Sequence, residues 1–226
     1  MDRCEIKCLC TNIQLALIRS RIAPLTKPDP HQKAGGTYQV RSLYLDDADN
    51  SCLFSNLRGE DNRYKFRIRS YNMDPSFLRL ERKWKRKVYT RKDSLAFAYP
   101  GQNPLLGEAG MPDGWAESAV ARHFLMEQKM HLLHPVIMIE YYREAFLYPL
   151  GNVRITFDTN IGFSMSKQME SLFDPDLPMI PLLPPGQQIL EVKYDSLIPD
   201  FIMQALDIGS LEQTSFSKYA MCRSPL

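Results

Sequence analysis

No run of apolar residues in this sequence approaches the roughly 20 that a helix needs to cross a bilayer, and the first ten residues hold no signal-peptide core. These absences point to a soluble, cytoplasmic protein with no direct membrane insertion. Cysteine occurs at only five positions, Cys4, Cys8, Cys10, Cys52 and Cys222. An odd number in a cytosolic setting implies free thiols, and Cys8 and Cys10 are too close together for a zinc knuckle. Histidine is scarcer still, at four residues. His131 and His134 could share a helical face, although a loop or surface role suits them better. No Ser-His-Asp or Cys-His arrangement stands out. Net charge is only +2, so the total does not by itself call for a polyanionic partner. Fixed-period repeats and low-complexity tracts are missing too.

What is present is globular in character, with 44% hydrophobic and 24% charged residues among 226. The length suits one domain, residues 1–226. Breaks are expected at Pro24 to Gly36, at Tyr99 to Gly114 with four Gly and three Pro, and at Asp174 to Gly186 with five Pro. Helices are expected at Asn12 to Arg21, where Leu15, Leu17, Ile18 and Ile22 form an apolar stripe, at Trp115 to Lys129, and in pieces after Pro199. Strands are expected at Cys4 to Leu9, Tyr38 to Asp46, Arg63 to Tyr71, Phe77 to Arg91, Val136 to Tyr148, Val153 to Asp158 and Ile189 to Tyr194. The fold class is therefore α+β and β-dominated: an antiparallel sheet of about eight strands, closed into a barrel, with flanking helices.

The strands separate charge from apolar surface. Arg63, Lys65, Arg67 and Arg69 alternate with Tyr64, Phe66 and Ile68. Arg79, Glu81, Lys83, Lys85 and Lys87 alternate with Leu78, Leu80, Trp84 and Val88, and Arg82 and Arg86 break the rule. Glu5 and Lys7, then Arg154, Thr156 and Asp158, then Glu191 and Lys193 repeat the pattern, and Tyr141 shares a face with Arg143. A sheet with one wet face gives such alternation without any function. These faces, however, are mostly cationic. Lys7, Arg67, Arg69, Lys83, Arg143, Arg154, Lys193 and Lys218 against Glu5, Glu81, Asp158 and Glu191 leave +4 on that surface, and −2 elsewhere. Two like charges ~4 Å apart near a protein surface repel by roughly 4 kcal/mol, a cost that an anionic ligand offsets. Arg forks and Lys point charges suit phosphoryl groups.

The residues resemble a known family. Arg63, Lys65, Arg67 and Arg69 follow the R-x-K-x-R-x-R strand of VTC domains, the polyphosphate polymerase branch of the triphosphate tunnel metalloenzymes, within the CYTH-like superfamily. Glu5 and Lys7, the strand from Val40 to Asp46, Glu81 and Lys83, Tyr141 and Arg143, the R-x-T-x-D run of Arg154, Thr156 and Asp158, Glu191 and Lys193, and finally Ser215, Ser217 and Lys218 resemble further blocks in the same order. The resemblance implies a tunnel barrel that transfers the γ-phosphoryl group of ATP to a polyphosphate chain, with Mn²⁺ or Mg²⁺. It implies that Arg67, Arg69, Lys83, Arg143, Arg154 and Lys193 act on phosphates. Lys7, Lys65, Tyr141, Ser217 and Lys218 would add substrate contacts, and Glu191 would carry the metal. Glu5 and Glu81 are expected to orient Lys7 and Lys83 as ion-pair partners.

Two departures matter. Arg3 stands where hydrolytic tunnel enzymes place the first Glu of E-x-E-x-K, which favours the polymerase branch over a tunnel triphosphatase. Ser215 stands where the eukaryotic polymerase has a further Lys. A non-catalytic polyphosphate or nucleotide sensor is the reading from another class; it would keep the basic lining but could dispense with Glu191. Nucleic acid is not an expected partner, because Tyr64 and Phe66 lie opposite the arginines. Translocation of a product chain would require a membrane-protein partner.

Overall fold

A computed structural model of the chain describes residues 4–32, 36–87, 89–99, 101, 114–209 and 211–224. Arg3, Val88, residues 33–35 of the first expected break and most of the loop from Tyr99 to Gly114 lie outside the described residues. The strands are β1 (Cys4–Thr11), β2 (Lys27–Pro28), β3 (Tyr38–Asp46), β4 (Asn62–Tyr71), β5 (Leu78–Arg86), β6 (Tyr89–Phe97), β7 (His134–Tyr148), β8 (Val153–Ser164), β9 (Ile180–Pro181), β10 (Gln187–Tyr194) and β11 (Glu212–Gln213). The helices are α1 (Asn12–Ile22), α2 (Ser51–Leu57), α3 (Ala119–His131), α4 (Asp200–Leu206) and α5 (Lys218–Arg223).

The hydrogen-bonded order is β11-β1-β10-β8-β7-β3-β4-β5-β6, with β2 on β7 and β9 on β8. The fold is thus α+β, β-dominated and antiparallel. Among the described residues, no backbone pairing joins β11 to β6, so hydrogen bonds do not close the expected barrel. No described helix is long and apolar enough to cross a membrane. The five cysteines are free, and all but Cys4 are buried.

The chain groups into two compact units. The first comprises Met1–Gln39, Tyr141–Gly162 and Pro181–Ser217. Its core joins the apolar faces of β1, β8 and β10 (Cys8, Cys10, Ile155, Phe157, Leu190 and Val192) to Leu15, Ile18 and Ile22 of α1 and Ile202 of α4. Helix α1 starts where Thr11 and Gln14 form a reciprocal capping box, at 3.2 and 2.7 Å. Leu17, expected in its apolar stripe, is 42% exposed instead. The β7–β8 turn depends on Gly151, which sits at φ +72°, and a Cβ there would lie 2.1 Å from the Leu197 carbonyl oxygen. Gly151→Ala is therefore expected to lower stability by more than the ~1 kcal/mol of an ordinary glycine replacement. An unchanged thermal midpoint would contradict this.

The second unit comprises Val40–Glu140, Phe163–Ile180 and Lys218–Leu226. Here Leu43, Leu45, Phe66, Ile68, Leu78 and Leu80 pack beneath Val120, Ala121 and Phe124 of α3, with Trp115 fully buried. Helix α3 begins later than expected because Ser118 caps it, accepting a hydrogen bond from the Ala121 amide. It ends at Leu132, in the left-handed region at φ 55°. His131 is in its last turn and His134 opens β7, so the two share no helical face.

The single strand expected from Phe77 to Arg91 is a hairpin. Lys87 takes a positive φ of 53° and its amide donates to the Asp61 carbonyl at 2.6 Å, so the chain reverses and Lys87 leaves the charged face. Arg82 breaks the alternation because its guanidinium lies among apolar neighbours with partners of its own. It donates to Asp93 at 2.7 Å and meets His123 Nδ1 at 2.5 Å, as a partly buried charge requires.

Helix α2, only seven residues long, was not foreseen from the sequence. Its first amides are satisfied by two preceding carboxylates. Asp46 accepts from Cys52 and Leu53 at 2.9 and 3.1 Å, and Asp47 accepts from Ser51 at 2.8 Å. Fully buried Asp46 also accepts the Tyr219 hydroxyl of α5.

Candidate functional site

Each unit carries one array of charged side chains on the face of its sheet opposite the apolar core. In the first unit, the β1–β10–β8 register aligns Lys7 with Glu191 and Thr156, and Glu5 with Lys193 and Arg154. Alternation along three paired strands therefore puts these residues on one face. Lys7 lies 3.3 Å from Glu5, the pairing expected from sequence, and also donates to the Phe216 carbonyl at 3.0 Å. Glu191, 4% exposed, meets the Lys193 ammonium and lies 3.6 Å from Arg143. Burial alone would raise its carboxyl. Lys193, Arg143 and Lys7 outweigh that and hold it well below the usual carboxylate range. In turn, burial pushes the Lys193 ammonium below its ordinary value against the pull of Glu191 and Glu5.

Arg143 and Arg154 are held by carboxylates. Fully buried Asp158 takes two parallel bonds from Arg143, at 2.6 and 2.7 Å, and the Arg143 guanidinium sits 5.1 Å above the Tyr141 ring. Such a fork fixes the plane of the guanidinium. Arg154 donates to Asp29 at 2.7 Å and to the Tyr38 hydroxyl at 3.0 Å. Asp29 and Tyr38 were not anticipated. Asp29 lies in the break that opens at Pro24, and its amide bond to the Ala145 carbonyl at 2.9 Å seats it.

In the second unit the register runs across β3, β4, β5 and β6. Tyr44, Arg67, Glu81 and Ser94 form one row. Ser42, Arg69, Arg79 and Ala96 form the next, and Lys65, Lys83 and Lys92 line up on its other side. Like charges placed directly opposite one another are unfavourable, so this lysine row is suited to an anion. Glu81, 1% exposed, sits at the centre of the array. It accepts from Arg67 at 2.7 Å, lies 3.8 Å from Arg69 and meets the Lys92 ammonium. Its carboxyl is held well below the usual range because Arg67, Arg69 and Lys92 overcome the cost of burial. Glu81 is thus the anchor of three cations from the neighbouring strands.

Lys92 was missed in the sequence because the single-strand expectation ended at Arg91. The hairpin brings it opposite Lys83. Burial lowers its ammonium to about 8 even with Glu81 beside it.

Aromatic rings floor the same array. Tyr44 stacks on Tyr219 at 5.2 Å, Arg67 lies 5.7 Å above Tyr44, and Lys65 lies 5.6 Å above Tyr219. Burial would raise the Tyr44 phenol, but Arg67, Arg69 and Lys218 bring it below its ordinary value. Lys218 opens α5, directly after Ser217.

No group of three His, Cys, Asp or Glu among the described residues could hold a metal ion alone. Glu191 and Glu5 form a carboxylate pair on adjoining strands. That pair suits the mode in which Mg²⁺ or a similar hard ion takes one or two carboxylates and completes its shell with water and substrate phosphates.

The sequence matches the model of the VTC domain over residues 2–226. No curated protein matches it. Two solved structures resemble the fold over nearly their whole length. One, a protein of Pyrococcus horikoshii OT3, has a TM-score of 0.51 at 11% identity, covering 99% of each chain. The other, a Hippeastrum adenylyl cyclase candidate with a dominant triphosphatase activity, has a TM-score of 0.58 at 16% identity, covering 100% of this chain and 96% of the other.

Proposed function

The chain belongs to the VTC domain family, and on that premise we propose that it is an ATP-dependent polyphosphate polymerase-like domain, moving the γ-phosphoryl group of ATP onto a polyphosphate chain. The closed tunnel that the family resemblance implies is part of this proposal. The observation that carries the reading is the pair of cationic arrays, each built around a buried carboxylate, Glu191 in one and Glu81 in the other.

The roles follow from chemistry. Arg67, Arg69, Lys83, Arg143, Arg154 and Lys193 hold phosphoryl oxygens, and Lys92 joins them. Lys7, Lys65, Tyr141, Ser217 and Lys218 add contacts to the substrate. Asp29, Asp158 and Glu81 are positioning residues that orient the guanidiniums without touching phosphate. Glu191, with Glu5 beside it, would hold Mn²⁺ or Mg²⁺, which when bound supplies countercharge to the phosphoryl oxygens. The attacking group is already an anionic phosphate oxygen, so no strong general base is required. Catalysis by such a site consists of positioning and charge stabilisation.

A tunnel triphosphatase is the second reading, which the activity of the Hippeastrum protein favours. The two are separated by incubating the protein with ATP, Mn²⁺ and a short polyphosphate primer, then resolving products by chain length. Longer chains together with ADP are the expected result. Orthophosphate without elongation would replace the proposal with triphosphatase chemistry, and binding without turnover would replace it with a sensor.

Lys92 makes the proposal pH-dependent. With its ammonium lowered to about 8, the side chain is charged below that pH and neutral above it. Affinity for tripolyphosphate should therefore fall as pH rises from 7 to 9, by about tenfold for one charged contact. Lys92→Arg keeps its charge throughout, so its profile should lack that fall, whereas titration of the ligand affects both proteins alike. Superimposable profiles would remove Lys92 from the site.

A further inference from the structure

The second unit contains a cavity outside the arrays described above, of about 300 Å³, lined by Asn50, His134, Val136, Met165, Lys167 and Arg223. We propose that it is a second phosphate-chain site, which holds phosphates of a polyphosphate too long to be accommodated by the Arg67–Lys83 array alone. This inference rests on the polyphosphate reading given above.

Among the described residues, its lining contains a lysine, an arginine, a histidine and an amide, and no carboxylate. Arg223 is set in place by donating to Asn50 Oδ1 at 2.5 Å through Nη2, which leaves other guanidinium N–H groups for a ligand. Lys167 is exposed. His134 donates Nδ1–H to the Leu132 carbonyl at 2.9 Å, leaving Nε2 as its other polar atom.

Its surroundings connect it to the main array. Arg223 lies one helical turn beyond Tyr219 on α5, roughly 6 Å of rise along the axis, and Lys65 of the lysine row sits 5.6 Å above the Tyr219 ring. The lysine row and this cavity thus flank the same short helix, α5.

The chemistry of the walls selects the ligand. Val136 and Met165 are the apolar members, and no aromatic side chain among the described residues lines the cavity. A nucleotide base or a single-stranded nucleic acid would find no ring to stack on. A bare phosphate chain requires only donors and positive charge.

The test compares equilibrium binding of tripolyphosphate and of long-chain polyphosphate to wild type, Lys167→Glu, and the double variant Lys167→Glu with Arg223→Gln. The double variant should bind the long chain about tenfold more weakly and tripolyphosphate as wild type does. Lys167→Glu changes an exposed side chain, so it carries the test should the double variant misfold, with a severalfold loss expected for the long chain only. Unchanged long-chain affinity, in variants that still bind tripolyphosphate, would overturn the second site and leave the main reading intact. Failure of wild type to bind either ligand would overturn the polyphosphate reading and this site with it.

Discussion

Glu191→Gln should slow elongation of a polyphosphate primer by about 10²–10³-fold, the scale on which a single well-placed electrostatic group contributes to catalysis, while weakening neither primer nor tripolyphosphate binding. The substitution nearly preserves shape and removes one charge. Glu191 is ionised in the folded chain because Lys193, Arg143 and Lys7 surround it, so the change strips countercharge from a cationic array and takes away the carboxylate proposed to hold a divalent ion. A polyanion should bind such an array as well as before, or more tightly, while turnover falls. Elongation within threefold of wild type would exclude a catalytic role for Glu191. A parallel loss of binding would make its role that of organising the array.

The same residue sets a pH dependence of stability. Its folded carboxyl lies well below the ordinary value of about 4.3 for an unfolded glutamate. It therefore contributes stability above that range, and the contribution is lost as pH falls toward its folded value. Acidification below pH 4 should narrow the difference in thermal midpoint between wild type and Glu191→Gln.

Arg41→Met is expected to be the most damaging single change to the fold, costing about 3–5 kcal/mol, the usual result of removing one partner of a buried ion pair. Arg41 is 2% exposed. It donates to Glu140 at 2.6 Å and to the carbonyls of Ser171 and Asp174 at 2.7 and 2.6 Å. The methionine would fill the space and remove the cation that Glu140 and two backbone carbonyls share. For a protein of this length the thermal midpoint should drop by roughly 6–20 °C. Replacing Arg41 and Glu140 together by apolar residues should recover part of the loss, because the buried carboxylate is removed along with its cation. A midpoint within 2 °C of wild type for the single variant would show that the ion pair contributes nothing to stability.

Period-2 alternation was enough to assign Phe66 and Ile68 to a core and Arg67 and Arg69 to a wet face, because strand geometry forces neighbours to opposite sides. The reversal at Lys87 left no comparable mark. Charged residues continue through it, and a positive φ at a lysine has no sequence signature as glycine would give. Lys92 was hidden for that reason.

Residue chemistry and strand periodicity by themselves determined the β-dominated antiparallel fold, the cationic faces and the order of the family motifs, since each depends on residues close together along the chain. Apart from the Glu5–Lys7 pair, tertiary structure alone decided which carboxylate holds which cation. Glu81 meets Arg67 and Lys92, Asp158 clamps Arg143, and Asp29 takes Arg154. These partners are separated by 11 to 125 positions, and strand register, helix caps and buried charge pairing bring them together. Because an ion pair requires only proximity and opposite charge, many pairings satisfied the sequence equally well until the backbone selected one.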